Sequence, residues 1–361
     1  MSEEIYRNLQ EHLHQHPMGF PSTKNGAEIQ LLKKLFEPDE AKIAIFLTPK
    51  PETAEQIAAK IGEDSQAMFE KLDRMARKGL IMRRKQKDAY HFNLEPYVGG
   101  IFDFQLARLD REVIDLDNKY KIELGVEFFG SQTPYWRVIP VERNIPNDVT
   151  VLSHQRVSEL VEKTDKIAVT DCICRTRQKI SGQVCDRTRH NCIFLSHWAN
   201  YLLENGWPGR EISKVEALEI FAQAEEEGLV HTTQNTASGP TVICNCCSCC
   251  CSILKPVKFF KMHNRVGRSE YFAKANEDLC TGCKECVDRC QFGALSVDAD
   301  KIIINHDFCM GCGLCATKCP VSVISLSPRP TDQIVKLPLT LGALFNQIGK
   351  EKGRPMKVTI E

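Results

Sequence analysis

The spacing of cysteines constrains this chain more strongly than any other feature of its sequence. The segment CTGCKECVDRCQ carries Cys280, Cys283, Cys286 and Cys290, and the segment CMGCGLCATKCP repeats the same C-x2-C-x2-C-x3-C spacing with Cys309, Cys312, Cys315 and Cys319. Thiols two or three residues apart in a long chain suit metal ligation better than disulfide formation. Three such thiolates can wrap one face of an iron–sulfur cube while a more distant cysteine supplies the fourth ligand. The sequence therefore predicts a metal-binding module near the carboxyl end.

This block, residues 270–325, resembles the bacterial two-cluster [4Fe–4S] ferredoxin module. The resemblance implies crossed ligation, in which each half of the repeat completes the ligand set of the other. One cluster is then held by Cys280, Cys283, Cys286 and Cys319, and the other by Cys309, Cys312, Cys315 and Cys290. Gln291 stands where the family often has proline, and we expect it to alter the local turn but not the coordination. A pair of zinc sites is the weaker alternative, because zinc sites usually show two separated C-x2-C pairs.

Ten further cysteines lie upstream, in the segments DCICRTRQKISGQVCDRTRHNC and ICNCCSCCC. They are Cys172, Cys174, Cys185, Cys192, Cys244, Cys246, Cys247, Cys249, Cys250 and Cys251. Short strands are expected to lead into Cys172 and Cys244, and side chains two apart on a strand share a face. If the two strands lie side by side, four thiols converge: Cys172, Cys174, Cys244 and Cys246. A second set would combine Cys247, Cys249 and Cys251 with Cys185 or Cys192.

Three interpretations of this upstream site remain open. It is an additional iron–sulfur site, a structural zinc site, or a dithiol–disulfide redox site without metal. Several arginines around the first segment would lower thiol pKa values and offset the charge of bound thiolates. In overall order, the chain resembles a broad group of uncharacterised iron–sulfur proteins of anaerobic microbes. These combine an N-terminal winged helix, a C-x-C-R segment, a CNCC-like segment and a C-terminal double ferredoxin.

The remaining sequence predicts an α+β multidomain protein. Thr53 with Gln56 predicts a capped helix, Asp64 begins the next one, and a charged hairpin follows. The stretch TAEQIAAKIGEDSQAMFEKLDRMARKGLI resembles the core of a winged helix-turn-helix domain. The expected organisation is a flexible N-terminus (1–24), a winged helix-turn-helix (25–95), a connecting region (96–166), a cysteine-rich mixed central domain (167–255), a two-cluster ferredoxin-like domain (270–325) and a C-terminal tail (326–361).

Charge and composition narrow the classes of partner. The 361 residues are 42% hydrophobic and 26% charged, which excludes collagen-like and largely disordered chains. Lysine plus arginine and aspartate plus glutamate both total 47, so the whole chain has no excess charge for a polyanion. Residues 25–95 carry 13 basic and 12 acidic side chains. DNA binding is therefore less expected there than protein docking or homodimerisation, although the basic hairpin keeps it open.

Other sequence signals concern location and partners. No apolar run is long enough to span a bilayer, and Met1–Gln10 has no apolar signal region, so we expect a cytoplasmic protein. The stretch Lys255–Arg268 is basic and free of acidic residues. It is either a docking face for an acidic redox partner or a solvated helix face.

Intracellular electron transfer through two [4Fe–4S] clusters is the function expected from these features, with a further metal or redox site in the central domain. Such a chain is more readily an electron carrier or an oxidoreductase subunit than a stand-alone enzyme. Two alternatives stay open. One is a redox-responsive DNA-binding regulator, and the other is a reductase with a catalytic central metal site.

Overall fold

The computed structural model describes residues 2–145 and 153–356. Its α-helices in these ranges are α1 (Ser2–His14), α2 (Ala27–Leu35), α3 (Pro38–Ala44), α4 (Ala54–Ile61), α5 (Ser65–Arg77), α6 (Arg111–Phe128), α7 (Val157–Glu162), α8 (Ile173–Ile180), α9 (Ser196–Glu204), α10 (Lys214–Glu226), α11 (Leu254–Phe259), α12 (Glu285–Arg289) and α13 (Leu341–Glu351). Its strands are β1 (Glu52–Thr53), β2 (Met82–Gln86), β3 (Ala89–Asn93), β4 (Trp136–Ile139), β5 (Ile167–Asp171), β6 (His190–Leu195), β7 (Gly209–Glu211), β8 (Val230–Gln234), β9 (Val242–Cys246), β10 (Tyr271–Ala275), β11 (Leu295–Asp298), β12 (Lys301–Ile304) and β13 (Ile324–Pro328).

Local sequence signals set the N-terminal elements. The Thr53 hydroxyl accepts from the Gln56 N–H at 3.3 Å, and the Gln56 side-chain oxygen accepts from the Thr53 N–H at 2.9 Å, which begins α4. The Asp64 carboxylate accepts from the Ala67 N–H at 2.9 Å and begins α5. Helix α5 buries Met68 and Leu72 on one face. The hairpin β2–β3 and the short β1 form an antiparallel sheet in the order β1-β3-β2.

The expectation of a flexible N-terminus is wrong. Residues 2–14 form α1, and Tyr6, Leu9 and Leu13 are buried in the same core as α2 and α3. These side chains recur at helical spacing and find an apolar partner surface, which a loosely ordered segment would lack. Helix α13 from the distant tail packs on this core with Leu344 and Phe345. The two ends of the described chain therefore share one core.

The region 96–166 is more than a connection. Strand β4 lies at the edge of the main sheet, where it pairs antiparallel with β8. Helix α6 begins where the Asp110 carboxylate accepts from the Val113 N–H at 2.8 Å, and it continues to Phe128.

The main sheet has six strands in the order β4-β8-β9-β6-β5-β7, with antiparallel pairings. The two strands that lead toward Cys172 and Cys244 do not lie side by side, because β6 lies between β5 and β9, so the condition for the first four-thiol set is not met. Strand β5 also ends at Asp171, and Cys172 is the residue that precedes the first turn of α8. Cys174 is therefore helical, and only Cys244 and Cys246 share a strand face.

The cysteine-rich C-terminal module contains two small antiparallel pairs. Strand β10 pairs with β13, and β11 pairs with β12. The expected C-terminal tail contains α13. None of the helices in the two described ranges combines the length and apolar character of a membrane-spanning segment.

Candidate metal centres

Four thiols of the C-terminal module surround one small pocket. The pocket is lined by Cys280, Cys283, Cys286 and Cys319, together with apolar side chains of β11 and β12. Burial, followed by the charges of Cys283 and Cys280, raises the pKa of Cys286 to about 11. The Cys286 thiol therefore favours the neutral form until a metal is bound. The first half of the repeat thus meets Cys319 from the second half.

The other four thiols of the module also lie together. Burial raises the pKa of Cys312, and the charge of the neighbouring Cys290 raises that pKa as well. Burial likewise raises the pKa of Cys315, followed by the charges of Cys312, Cys309 and Cys290. Backbone N–H groups point at this set: Ala294 N–H to Cys290 Sγ at 3.3 Å and Ala273 N–H to Cys309 Sγ at 3.4 Å. Such donors stabilise thiolate ligands.

Gly311 allows the second cysteine segment to pass close to β10. Its φ is +71°, and a Cβ at this position would lie 2.1 Å from the Tyr271 carbonyl oxygen. A side chain would be strained by the backbone conformation and blocked by main-chain atoms. Glycine is therefore required between Met310 and Cys312.

Four of the upstream cysteines form a compact group, here called the thiol quartet. Its members are Cys185, Cys247, Cys249 and Cys250, and their sulfur atoms all lie within 4.8 Å of one another. The Cys185 and Cys249 sulfurs are 3.9 Å apart, and those of Cys249 and Cys250 are 3.6 Å apart. The predicted second set had Cys251 in place of Cys250, which is wrong.

The other six upstream cysteines form an extended group, here called the thiol sextet. Its members are Cys172, Cys174, Cys192, Cys244, Cys246 and Cys251. Cys192 on β6 lies beside Cys244 on β9, with sulfurs 3.8 Å apart. The remaining sextet thiols are close enough to act on one another's pKa: Cys174 acts on Cys172 and Cys251, Cys246 acts on Cys251, and Cys244 acts on Cys246. Among the described residues, no three sextet sulfurs lie within 4.8 Å of one another.

Cys174 is the sextet thiol that ionises most readily. The neighbouring thiols of Cys172 and Cys251 hold its pKa well below the ordinary value. The neighbouring Cys174 raises the pKa of Cys172, and burial adds to that effect.

A buried arginine supplies positive charge to the upstream thiols. Burial acts to lower the pKa of Arg175, but the charges of Cys172, Cys247 and Cys246 outweigh it and raise that pKa. The Arg175 Nη2 donates to the Asn245 carbonyl at 2.8 Å. Arg177 pairs with the buried Asp117 at 2.8 Å. Bound thiolates would therefore find a compensating cation within the protein.

Comparison with known proteins bears on the C-terminal module. Residues 279–324 match the family described as "4Fe-4S dicluster domain". The chain therefore carries a ferredoxin-type 4Fe-4S dicluster domain. A probable ferredoxin from Methanosarcina thermophila is 57% identical over 30 residues, which are 8% of this chain and 52% of that protein. The chain thus spans about half the length of the curated relative that it matches. No solved structure matches the chain.

Gln291 joins the dicluster domain to the quartet loop. Its side-chain oxygen accepts from the N–H and the hydroxyl of Ser248, both at 2.9 Å, and its Nε2 donates to the Gly228 carbonyl at 3.1 Å. Ser248 lies between Cys247 and Cys249, and Gln291 directly follows Cys290. Gln291, in place of the proline common in the resembling family, was expected to change only a local turn. Its side chain instead supplies contacts between two cysteine groups.

The sextet lines a cavity of about 1280 Å³. Much of the remaining wall is aromatic, including Tyr135, Trp198 and Trp207. Four side chains on this wall are among the large hydrophobic residues most exposed to solvent. They are Ile122 (72% exposed), Val126 (72%), Phe259 (63%) and Phe260 (75%). They belong to α6, α11 and the residue after α11, so both helices contribute to an apolar opening.

Sequence reasoning missed two parts of this arrangement. It gave no chemistry to residues 96–166, although α6 and the segment around Tyr97 form much of the cavity wall. It also did not place Cys192 with the sextet, because the pairing of β6 with β9 is a long-range contact that no local pattern reports. The apolar residues Ile122 and Val126, which α6 leaves exposed, are the feature that could have indicated this part of the cavity wall.

Proposed function

We propose that this protein transfers electrons through two [4Fe–4S] clusters in its C-terminal domain. The proposed ligands of the first are Cys280, Cys283, Cys286 and Cys319, and those of the second are Cys309, Cys312, Cys315 and Cys290. The observation that carries the proposal is the match to a dicluster domain in a segment whose thiols meet across the repeat. Four thiolates fill the ligand positions of each cube, so these clusters carry single electrons and leave no iron open to substrate.

We further propose that the electrons pass between these clusters and the central thiol groups. The contact of Gln291 with Ser248 brings Cys290 near the quartet. Cys290 and Cys312 also border a buried cluster that contains Cys246 and Cys251 of the sextet. Packed protein side chains therefore connect the two cysteine groups.

The N-terminal region is proposed to be a winged helix-turn-helix that docks another protein or a second copy of the chain. The order of α4, α5, β2 and β3 supports that topology. Its basic hairpin is only partly available to phosphate, because Arg83 is buried and pairs with Asp73 and Glu204. This arrangement favours the docking role over DNA regulation. The partner in electron transfer is proposed to be a cytoplasmic redox protein of an anaerobe.

Anaerobic purification of the full chain tests the electron-transfer proposal. Iron and sulfide should each be near eight per chain from the two cubes alone. Reduction with dithionite should bleach the visible absorption and give the paramagnetic spectrum of reduced [4Fe–4S] clusters. Colourless oxygen-free protein, or colour that no reductant changes, would contradict the proposal.

A second candidate function is a reductase with its reaction centre at the sextet. The six sextet thiols and Cys250 line a large apolar cavity, an arrangement that would hold a metal centre beside a bound molecule. The dicluster domain would then supply the electrons. Binding of a small apolar molecule should change the paramagnetic spectrum of the reduced protein. A spectrum that no such molecule alters would leave simple electron transfer as the function.

A further inference from the structure

We propose that the thiol quartet binds a single zinc ion in a tetrahedral, all-cysteine site. The ligands are Cys185, Cys247, Cys249 and Cys250. This inference refines the central metal site and does not depend on whether the dicluster domain transfers electrons. It separates the ten upstream thiols into one mononuclear site and one extended group.

The distances between sulfur atoms distinguish one ion from a cube. Zinc binds thiolates at about 2.3 Å, so the sulfurs of a tetrahedral site lie about 3.8 Å apart. The measured separations of 3.9 Å and 3.6 Å agree with that value, and all four sulfurs lie within 4.8 Å. An iron–sulfur cube places four irons and four sulfides between its ligands and therefore needs a wider set.

The dicluster domain provides an internal comparison. Among the described residues, no three of its cysteine sulfurs lie within 4.8 Å of one another. The same chain thus spaces thiols widely where the family match indicates cubes and closely in the quartet. The sextet is also too extended for one ion, which leaves the quartet as the compact set.

Charge around the quartet suits four thiolates on a divalent ion. Such a centre carries two net negative charges, and the positive charge of the buried Arg175 acts on Cys247. Arg187 donates from Nη1 to the Cys249 sulfur at 4.0 Å. Donors and cations of this kind stabilise bound thiolates.

The position of the quartet indicates a structural role. Cys185 comes from the loop between α8 and β6, and the other three come from the turn after β9, so one ion would fasten two separate segments. With four protein ligands no coordination position remains for a substrate. Ser248, inside the turn, holds Gln291 of the dicluster domain. The ion would therefore fix the loop against which that domain packs.

Metal analysis and zinc-edge X-ray absorption of the anaerobically purified full chain test this inference. We expect about one zinc per chain with a first shell of four sulfurs at about 2.3 Å. Cys249→Ser alters the exposed ligand and should weaken zinc binding more than about tenfold in competition with a chromogenic chelator. Cys192→Ser, a sextet thiol, is the matched control and should keep the zinc.

Three results would overturn the inference. They are the absence of zinc after growth with ample metal, a zinc shell containing oxygen or nitrogen in place of sulfur, and iron that is lost specifically in Cys249→Ser. The spectrum of the reduced dicluster domain is recorded on the same samples. If that spectrum is missing while one zinc with four sulfurs is found, the electron-transfer proposal fails and the zinc site stands.

Discussion

Cys290 and Cys319 tie the two halves of the dicluster domain together, because each lies with three thiols from the opposite half of the repeat. Because each belongs to a different proposed ligand set, substituting one of them tests one cluster at a time. Cys319→Ala should remove the cluster at Cys280, Cys283 and Cys286 and leave the other in place. About four of about eight irons should be lost, together with one of the two paramagnetic signals.

The reciprocal variant is the control for this prediction. Cys290→Ala should remove the signal that Cys319→Ala retains. If both variants lose the same signal, the crossed assignment is wrong. If neither loses iron, these cysteines are not ligands.

Glu95 gives a pH-dependent prediction at the residue scale. Burial raises its pKa to about 7, although Asn93 and Arg84 act in the opposite direction. A carboxyl whose folded pKa exceeds its unfolded value loses stabilising free energy as pH rises from about 4.5 to about 7. Glu95→Gln should therefore be more stable than the natural chain at about pH 8.5, by about 1–3 kcal/mol.

Urea unfolding at two pH values measures this effect. At about pH 4, below the unfolded pKa, the carboxyl is largely protonated in both the folded and the unfolded chain, so the advantage of Glu95→Gln should shrink toward zero. Glu55→Gln, on the exposed surface of α4, is the matched control and should change stability little at either pH. An equal difference between the natural chain and Glu95→Gln at both pH values would contradict the expected titration.

At the scale of elements, α13 is the clearest test of how the tail contributes to the fold. Phe345 is buried, stacks on Tyr135 with ring centroids 5.7 Å apart, and meets the edge of His16 at 4.7 Å. Phe345→Ala should lower the free energy of unfolding by about 3–5 kcal/mol, because it removes a large side chain from a packed core.

An exposed residue of the same tail provides the comparison. Val335 is 76% exposed, so Val335→Ala should change the free energy of unfolding by less than about 0.5 kcal/mol. Denaturant unfolding followed by tryptophan fluorescence measures both variants. Similar small effects for the two would mean that α13 does not stabilise the core.

Local sequence signals predicted many helices and strands but not the elements beside which they lie. The capping residues Thr53 and Asp64 placed α4 and α5, and the β-branched run before Cys244 placed β9. Strand β6 was missed because its residues, HNCIFL, follow a charged loop and carry no alternating pattern of their own. Without β6, the order of the main sheet and the composition of the sextet were not predictable.

The helix after β5 shows a second limit. Alternation of apolar residues up to Thr170 favoured a strand that continued through Cys174, but the chain turns into α8 at Cys172. A cysteine before the first helical turn is an uncommon start signal, since Ser, Thr, Asp and Asn are preferred there. The packing of the thiols in the folded protein, rather than a local sequence signal, therefore accounts for the start of α8 at this point.

For the whole molecule, charge predicts weak affinity for DNA. The chain has equal numbers of basic and acidic side chains, and Arg83 is already paired within the protein. Fluorescence anisotropy with a random duplex at about 50 mM salt should show no saturable binding at micromolar protein concentration.

A charge-reversed variant establishes that the assay can detect binding. Glu63 and Glu70 lie just before α5 and on it, and both are exposed. Replacing both with lysine should produce salt-sensitive binding. Tight, salt-sensitive binding by the unaltered chain would restore the regulator hypothesis.

The shared core of α1 and α13 has a consequence for biosynthesis. Tyr6 and Leu9 leave the ribosome early, but Leu344 and Ile348, which complete their environment, are translated after all eighteen cysteines. During translation, the sulfur-rich segments therefore emerge while the first core still lacks its last helix. Cofactor delivery can begin on a nascent polypeptide whose two extremities have not yet joined.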